Sequence, residues 1–215
     1  MPQNRQDTTP GRQPTPAVFL DRDGTLIVDV DFLNSVERLE PIPGAAEAVR
    51  ILNRLGLKVI VVSNQSGIAR GYFDEERVEE IHRAMRSRFA AEGAQIDAIY
   101  YCPHHPDFGD PHYRRNCNCR KPEPGLFLQA AAEHNIDLEK SYMIGDKYSD
   151  VEAGKRLNMV SILVLTGNGK RHYELYKDKP NIPQPDFVAA DLLEAVPYIL
   201  RNEKVEGERG GWRDT

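Results

Sequence analysis

No run of apolar residues in this chain approaches the roughly 18 to 20 needed to cross a bilayer. The opening stretch, Met1 to Pro16, is polar and carries four prolines, so it lacks the apolar core of a secretory signal. The expectation is a cytoplasmic protein with no membrane partner. Cysteine is scarce as well. Its three copies, Cys102, Cys117 and Cys119, are odd in number and clustered, which excludes a dispersed disulfide framework. A basic excess is also missing: 28 Lys and Arg face 33 Asp and Glu, for a formal net charge of -5. That balance does not suit a protein that grips a nucleic-acid backbone. A small anion stays within reach, because a few placed cations can hold one. No internal repeat is visible.

What is present is the composition of an ordinary globular chain, 40% apolar and 28% charged over 215 residues. That length allows one sizeable core and is short for two full domains. Residues 1–16 and 203–215 are polar or charged and read as mobile tails, leaving a single domain over 17–202 and an expected monomer. Inside it, short apolar runs alternate with helical patterns. Ala17 to Leu20, Leu57 to Val62, Ala98 to Tyr101, Tyr142 to Ile144 and Val160 to Leu165 read as strands. Gly44 to Leu55, Asp74 to Glu92, Gly125 to His134, Asp150 to Leu157 and Leu192 to Leu200 read as helices, with Asp74 as a cap and Pro124 at a start. This alternation predicts an α/β protein of Rossmann-like class, a doubly wound parallel sheet covered on both faces. Ligands of such sheets bind beyond the carboxyl ends of the strands, which singles out the loops after Leu20, Val62, Tyr101 and Ile144.

Each of these loops carries a polar cluster. Asp21-Arg22-Asp23-Gly24-Thr25 sets two carboxylates two residues apart on a turn. Asp21 could attack phosphorus and Asp23 could protonate the leaving oxygen, then activate water. Asp and Gly also favour turns for local reasons alone. Ser63-Asn64-Gln65-Ser66-Gly67 offers a hydroxyl and free N–H groups to a phosphate oxygen. Lys121 could supply a fixed cation. Asp146, in Gly145-Asp146-Lys147, could complete a magnesium site with Asp21. Asp150 fits equally well as support for that site or as an acidic residue at a helix start.

In this order the loops resemble the haloacid dehalogenase superfamily of phosphatases over residues 17 to 170. The resemblance implies that Asp21 is the nucleophile and Asp23 the general acid and base. It implies further that Ser63 and Lys121 hold the phosphoryl group. Mg²⁺ would then be bound by Asp21, Asp146 and the carbonyl of Asp23. Two acidic groups facing a phosphate dianion would repel it without a cation, so Mg²⁺ and Lys121 also answer a need for charge balance.

Cys102-Pro103-His104 and Cys117-Asn118-Cys119 use every cysteine in the chain. Three thiolates and an imidazole suit tetrahedral zinc, and four protein ligands leave no place for a catalytic water, so this zinc should be structural. His105 is an adjacent alternative; the family pattern selects His104. The loop over 102–119 is a minimal cap, since no segment is long enough for a cap domain. Cys-Pro-His-His-Pro, the long zinc loop, Cys-x-Cys-Arg-Lys-Pro and Ser-Asn-Gln-Ser-Gly-Ile-Ala-Arg-Gly resemble the family of heptose 1,7-bisphosphate 7-phosphatases and histidinol-phosphate phosphatases. The long loop favours the heptose members, which would make nucleotide-activated heptose for surface glycans. In that reading Arg120 helps hold the second phosphate or the sugar, with Asn64 and Arg70 as weaker candidates for substrate contact, and Lys147 orients Asp21 or neutralises charge beside Asp146. Histidinol phosphate is the alternative substrate. A polynucleotide 3′-phosphatase or a non-catalytic phosphate-binding protein would fit less of the pattern.

Overall fold

The structure, a computed structural model, describes residues 13–210. Elements follow one another as β1 (Ala17–Leu20), α1 (Ala45–Arg54), β2 (Lys58–Asn64), α2 (Glu75–Ala91), β3 (Ala98–Cys102) and α3 (Gly125–His134). Then come β4 (Tyr142–Gly145), α4 (Tyr148–Arg156), β5 (Val160–Val164), α5 (Gly169–Tyr176), β6 (Phe187–Ala189) and α6 (Leu192–Gly210). The strands form one sheet in the order β3-β2-β1-β4-β5-β6, every pair parallel.

The pleat explains why the central strands are apolar throughout. Side chains alternate between faces, and both faces are covered. Val18 and Leu20 face one core with Val61 and Ile144, closed by Val49 and Leu52 of α1, Phe89 of α2 and Ile199 of α6. Phe19 faces the other with Ile60 and Met143, closed by Phe127 of α3 and Ala153 of α4. The Phe19 and Phe127 rings sit 5.3 Å apart, centroid to centroid. Full burial of side chains this size stabilises by roughly 1.5–3 kcal/mol each.

Two elements escape the sequence reading, α5 and β6. The three residues of β6 are too few to show a period, and α5 buries only Gly169. The terminal regions also differ from expectation. Thr15 lies within the expected tail, yet its N–H donates to Asn135 O at 3.1 Å and its carbonyl accepts from Asp137 N at 3.0 Å. At the other end, α6 continues to Gly210 where a tail was expected from 203, and Glu203 accepts a 2.7 Å hydrogen bond from the Tyr142 hydroxyl. The tail positions 1–12 and 211–215 lie outside the described residues. Among the described residues, no helix is long and apolar enough to cross a membrane.

The chain runs outward from β1 in one direction and returns through β4 in the other. This reversal opens a crevice at the carboxyl ends of β1 and β4, where doubly wound sheets bind ligands.

Candidate active site

Both strands at the switch point end in a carboxylate. Asp21 follows β1, its N–H donating to Ile144 O across the β1–β4 seam at 2.9 Å, and its Oδ1 accepts from Arg22 N at 2.8 Å. Asp146 follows β4 and is fully buried. Glycines let these ends close. Gly24 has φ of +80°, and a Cβ there would run into Asp146 Oδ2; one on Gly145 would run into Asp150. Asp150, in the first turn of α4, brings a third carboxylate within 4.8 Å of the other two. Its Oδ2 accepts from Lys147 N at 3.0 Å, so it caps the helix, while its Oδ1 pairs with Lys121 at 2.8 Å. The two readings of Asp150 are therefore compatible.

Two lysines balance these charges. Lys121 Nζ lies 2.9 Å from Asp21 Oδ1 and also donates to Val62 O at 2.6 Å. Lys147 Nζ stands 3.9 Å from Asp21 Oδ2, 3.4 Å from Asp146 Oδ1 and 3.8 Å from Asp29 Oδ2. Burial pushes the Asp21 carboxyl up, but the Lys121 and Lys147 charges outweigh it and hold Asp21 below its usual value. These two ammonium groups favour the charged form of a carboxylate that is itself only 4% exposed. Lys121 mirrors this: burial opposes its charge, and Asp150 and Asp21 more than restore it.

Asp146 is less well compensated. Burial first, then the Asp21 and Asp150 charges, raise its carboxyl to about 7 against the pull of Lys147. Its Oδ2 accepts from Asn168 N at 2.8 Å, while its buried Oδ1 has no hydrogen-bond partner among the described residues. A buried carboxylate oxygen that makes no hydrogen bond, only a 3.4 Å ion pair with Lys147, beside two further carboxylates, is what a hard divalent cation would satisfy. The residues present fit Mg²⁺.

The other loop after β1 and β2 is tied together by side chains. Arg22 Nε and Nη2 hold Asp23, with Nη2 to Oδ1 at 3.0 Å, and Gln65 Nε2 donates to Asp23 Oδ2 at 2.9 Å. Gln65 Nε2 also donates to Ser63 Oγ at 2.7 Å, placing the hydroxyl beside the acid. Asn64 makes a two-point clasp on the main chain of Lys121: Nδ2 donates to Lys121 O at 3.1 Å and Oδ1 accepts from Lys121 N at 3.0 Å. Its amide is committed to locating the lysine.

Beyond β3 the three cysteines and His104 meet. The Sγ atoms of Cys119 lie 3.2 Å from those of Cys102 and of Cys117, and Cys102 is 3.6 Å from Cys117. These separations are too long for a disulfide and close to the about 3.8 Å edge of a tetrahedral zinc–thiolate site. His104 Nδ1 faces the group, 3.2 Å from Cys119 Sγ, whereas His105 turns away toward Arg70, 3.4 Å from Nε2. Burial pushes the Cys102 thiol up. Three sulfurs this close can ionise together only around a cation, so the set fits a four-ligand metal ion. Next to it Arg120 Nη1 donates to His104 O at 3.2 Å, and the Arg70 guanidinium lies 3.7 Å over the Phe108 ring. A cavity of about 770 Å³ opens between Ile68–Asp74 and the Phe108–Tyr113 part of the clip.

The structure thus brings Asp21, Asp23, Ser63, Lys121, Asp146 and Lys147 to one crevice, with Arg120 at the clip beside it. The sequence reading overlooked Gln65, Arg22, His82, Asp29 and Asn168. Gln65 stood inside a motif already singled out. Asn168 N meets Asp146, and its Nδ2 donates to Asp29 Oδ2 at 2.9 Å, across a separation no local pattern reveals.

The profile of the HAD-hydrolase-like family matches residues 118–195. The D-glycero-beta-D-manno-heptose-1,7-bisphosphate 7-phosphatase of Vibrio cholerae is 41% identical over 194 residues, covering 88% of this chain and 98% of its own. The enzyme of the same name from Escherichia coli is 44% identical over 194 residues, covering 88% and 96%. The crystal structure of D,D-heptose 1.7-bisphosphate phosphatase from B. bronchiseptica, complexed with magnesium and phosphate, superposes with a TM-score of 0.77. It is 32% identical, covering 87% of this chain and 99% of that one.

Proposed function

Since this chain belongs to the haloacid dehalogenase-like phosphatases, alongside the heptose-bisphosphate enzymes of V. cholerae and E. coli, we propose that its substrate is D-glycero-D-manno-heptose 1,7-bisphosphate, from which it removes the 7-phosphate. The chain is a phosphoric monoester hydrolase. The observation that carries the mechanism is the buried Asp21 carboxylate, kept ionised by Lys121 and Lys147 at the β1–β4 crevice.

In the proposed reaction an Asp21 oxygen bonds phosphorus while the bond to the sugar oxygen breaks, and Asp23 gives that oxygen a proton. A water oxygen then bonds phosphorus, its proton passes to Asp23, and Asp21 leaves as a carboxylate. Lys121 and the Ser63 hydroxyl bind phosphoryl oxygens; Asn64 acts by fixing Lys121, and Lys147 orients Asp21. Asp21, Asp146 and the Asp23 carbonyl would hold Mg²⁺, which when bound supplies positive charge against the phosphate oxygens. Cys102, His104, Cys117 and Cys119 would hold a structural zinc, and Arg120, on the chain leaving that clip, would meet the second phosphate or the sugar.

Phosphate release from heptose 1,7-bisphosphate and histidinol phosphate, measured side by side with Mg²⁺, tests the substrate. Preference for the heptose, absent in Asp21→Asn, is the expected result. Preference for histidinol phosphate would move the substrate assignment and leave the chemistry in place.

A further inference from the structure

Arg22 stands between the two aspartates of the nucleophile loop and is 1% exposed. Its guanidinium donates to three acceptors. Nε and Nη2 reach Asp23, Nη2 reaches Gln65 Oε1 at 2.9 Å, and Nη1 reaches His82 Nε2 at 3.2 Å. Asp23 is its ion-pair partner among the described residues, at 2.9 Å, and keeps 18% of its side chain open. His82 comes from α2 and is itself buried. Burial, with the Arg22 and Arg86 charges, holds its ring down to about 3, so it is neutral and its Nε2 accepts from Arg22. Gln65 closes the arrangement, accepting from Arg22 and donating to both Asp23 and Ser63.

A buried guanidinium is a poor way to stabilise a fold, because desolvation offsets most of the attraction it gains. Here each guanidinium nitrogen meets a group that faces the crevice or braces the guanidinium from behind. We propose that Arg22, braced by His82 and Gln65, is the positioning residue that holds the Asp23 carboxyl group at the leaving-group oxygen. The proposal rests on the assignment of Asp23 as acid and base. When the phosphorus–oxygen bond to the leaving group breaks, its electron pair takes the Asp23 proton. The carboxylate left behind forms against the fixed Arg22 charge, which needs no reorganisation to receive it.

Proton donation matters to a poor alkoxide leaving group and hardly at all to p-nitrophenolate. The test is therefore the ratio of kcat/KM for heptose 1,7-bisphosphate to kcat/KM for p-nitrophenyl phosphate, on the magnesium- and zinc-loaded protein. In Arg22→Met this ratio should fall at least about tenfold, as expected when a positioned acid is misplaced. Arg22→Lys should recover part of it. His82→Leu should shift the ratio the same way, with His82→Gln recovering it by keeping an acceptor; this pair decides the matter if Arg22→Met does not fold. Asp23→Asn is the control. If it leaves the ratio unchanged, the acid role of Asp23 fails. If Asp23→Asn lowers the ratio while Arg22→Met and His82→Leu slow both substrates equally, the positioning role is overturned.

Discussion

Lys121 is the buried cation shared by two carboxylates. The residue is 4% exposed, and its ammonium lies between Asp21 and Asp150 at 2.9 and 2.8 Å. Removing one member of a buried ion cluster leaves the others uncompensated, which costs about 3–5 kcal/mol. Lys121→Met should lose stability on that scale in urea unfolding, and adding Asp150→Asn should recover part of it, because the two sites couple. Equal losses in the single and double variants would contradict the pairing. Asp146 makes a separate prediction about pH. Its carboxyl rises from 3.8 to about 7 in the fold, chiefly through burial, so the folded state keeps a proton the unfolded chain has released. The stability tied to this group is fully present below 3.8 and is lost as pH rises through about 7. In chelator, Asp146→Asn should therefore show a flatter fall in thermal midpoint from pH 5 to pH 8 than the parent. At this scale the sequence was informative where partners are near in the chain. Asp21 and Asp146 were readable because each ends an apolar run. The network of Arg22, His82 and Gln65 was not, because Arg22 meets Gln65 and His82 across 43 and 60 positions, the second contact existing only once α2 packs on the sheet.

Among the elements, the clip formed by Cys102–Cys119 carries the clearest expectation. It ends immediately before Arg120 and Lys121, and Gly125 N reaches back to Asn118 O at 2.7 Å. On the proposed zinc assignment, Cys119→Ser or a strong zinc chelator should lower activity sharply. Far-ultraviolet circular dichroism should hardly change, since apart from Cys102 at the end of β3 the sheet and its helices lie outside the clip. Full activity in a protein shown by elemental analysis to be zinc-free would remove the link between clip and cations. The elements also show what made the fold readable. The α2 helix was legible because Asp74 caps it, its side chain accepting from Arg77 N at 2.9 Å, and because Val78, Ile81, Met85 and Phe89 form one buried stripe. The α5 helix has no such stripe, and β6 has too few residues for a pattern. The α6 helix outran its expected end because the composition after Leu200 is charged, which resembles a tail even where the backbone continues as helix.

At the scale of the whole molecule, strand order decides where the chemistry can happen. Only the reversal between β1 and β4 places two strand ends side by side with their following loops diverging, and Asp21 and Asp146 occupy those two ends. The parallel α/β class followed from alternation along the chain, while the order β3-β2-β1-β4-β5-β6 required the pairings themselves. On the proposed mechanism this crevice carries a covalent phosphoryl group on Asp21. The direct measurement is to quench the magnesium-loaded protein during turnover, reduce it with borohydride, and map the peptides by mass spectrometry. Reduction of an aspartyl phosphate should give homoserine at position 21, dependent on substrate and absent in Asp21→Asn. Homoserine at another aspartate, or none at position 21 under turnover, would rule out Asp21 as the nucleophile.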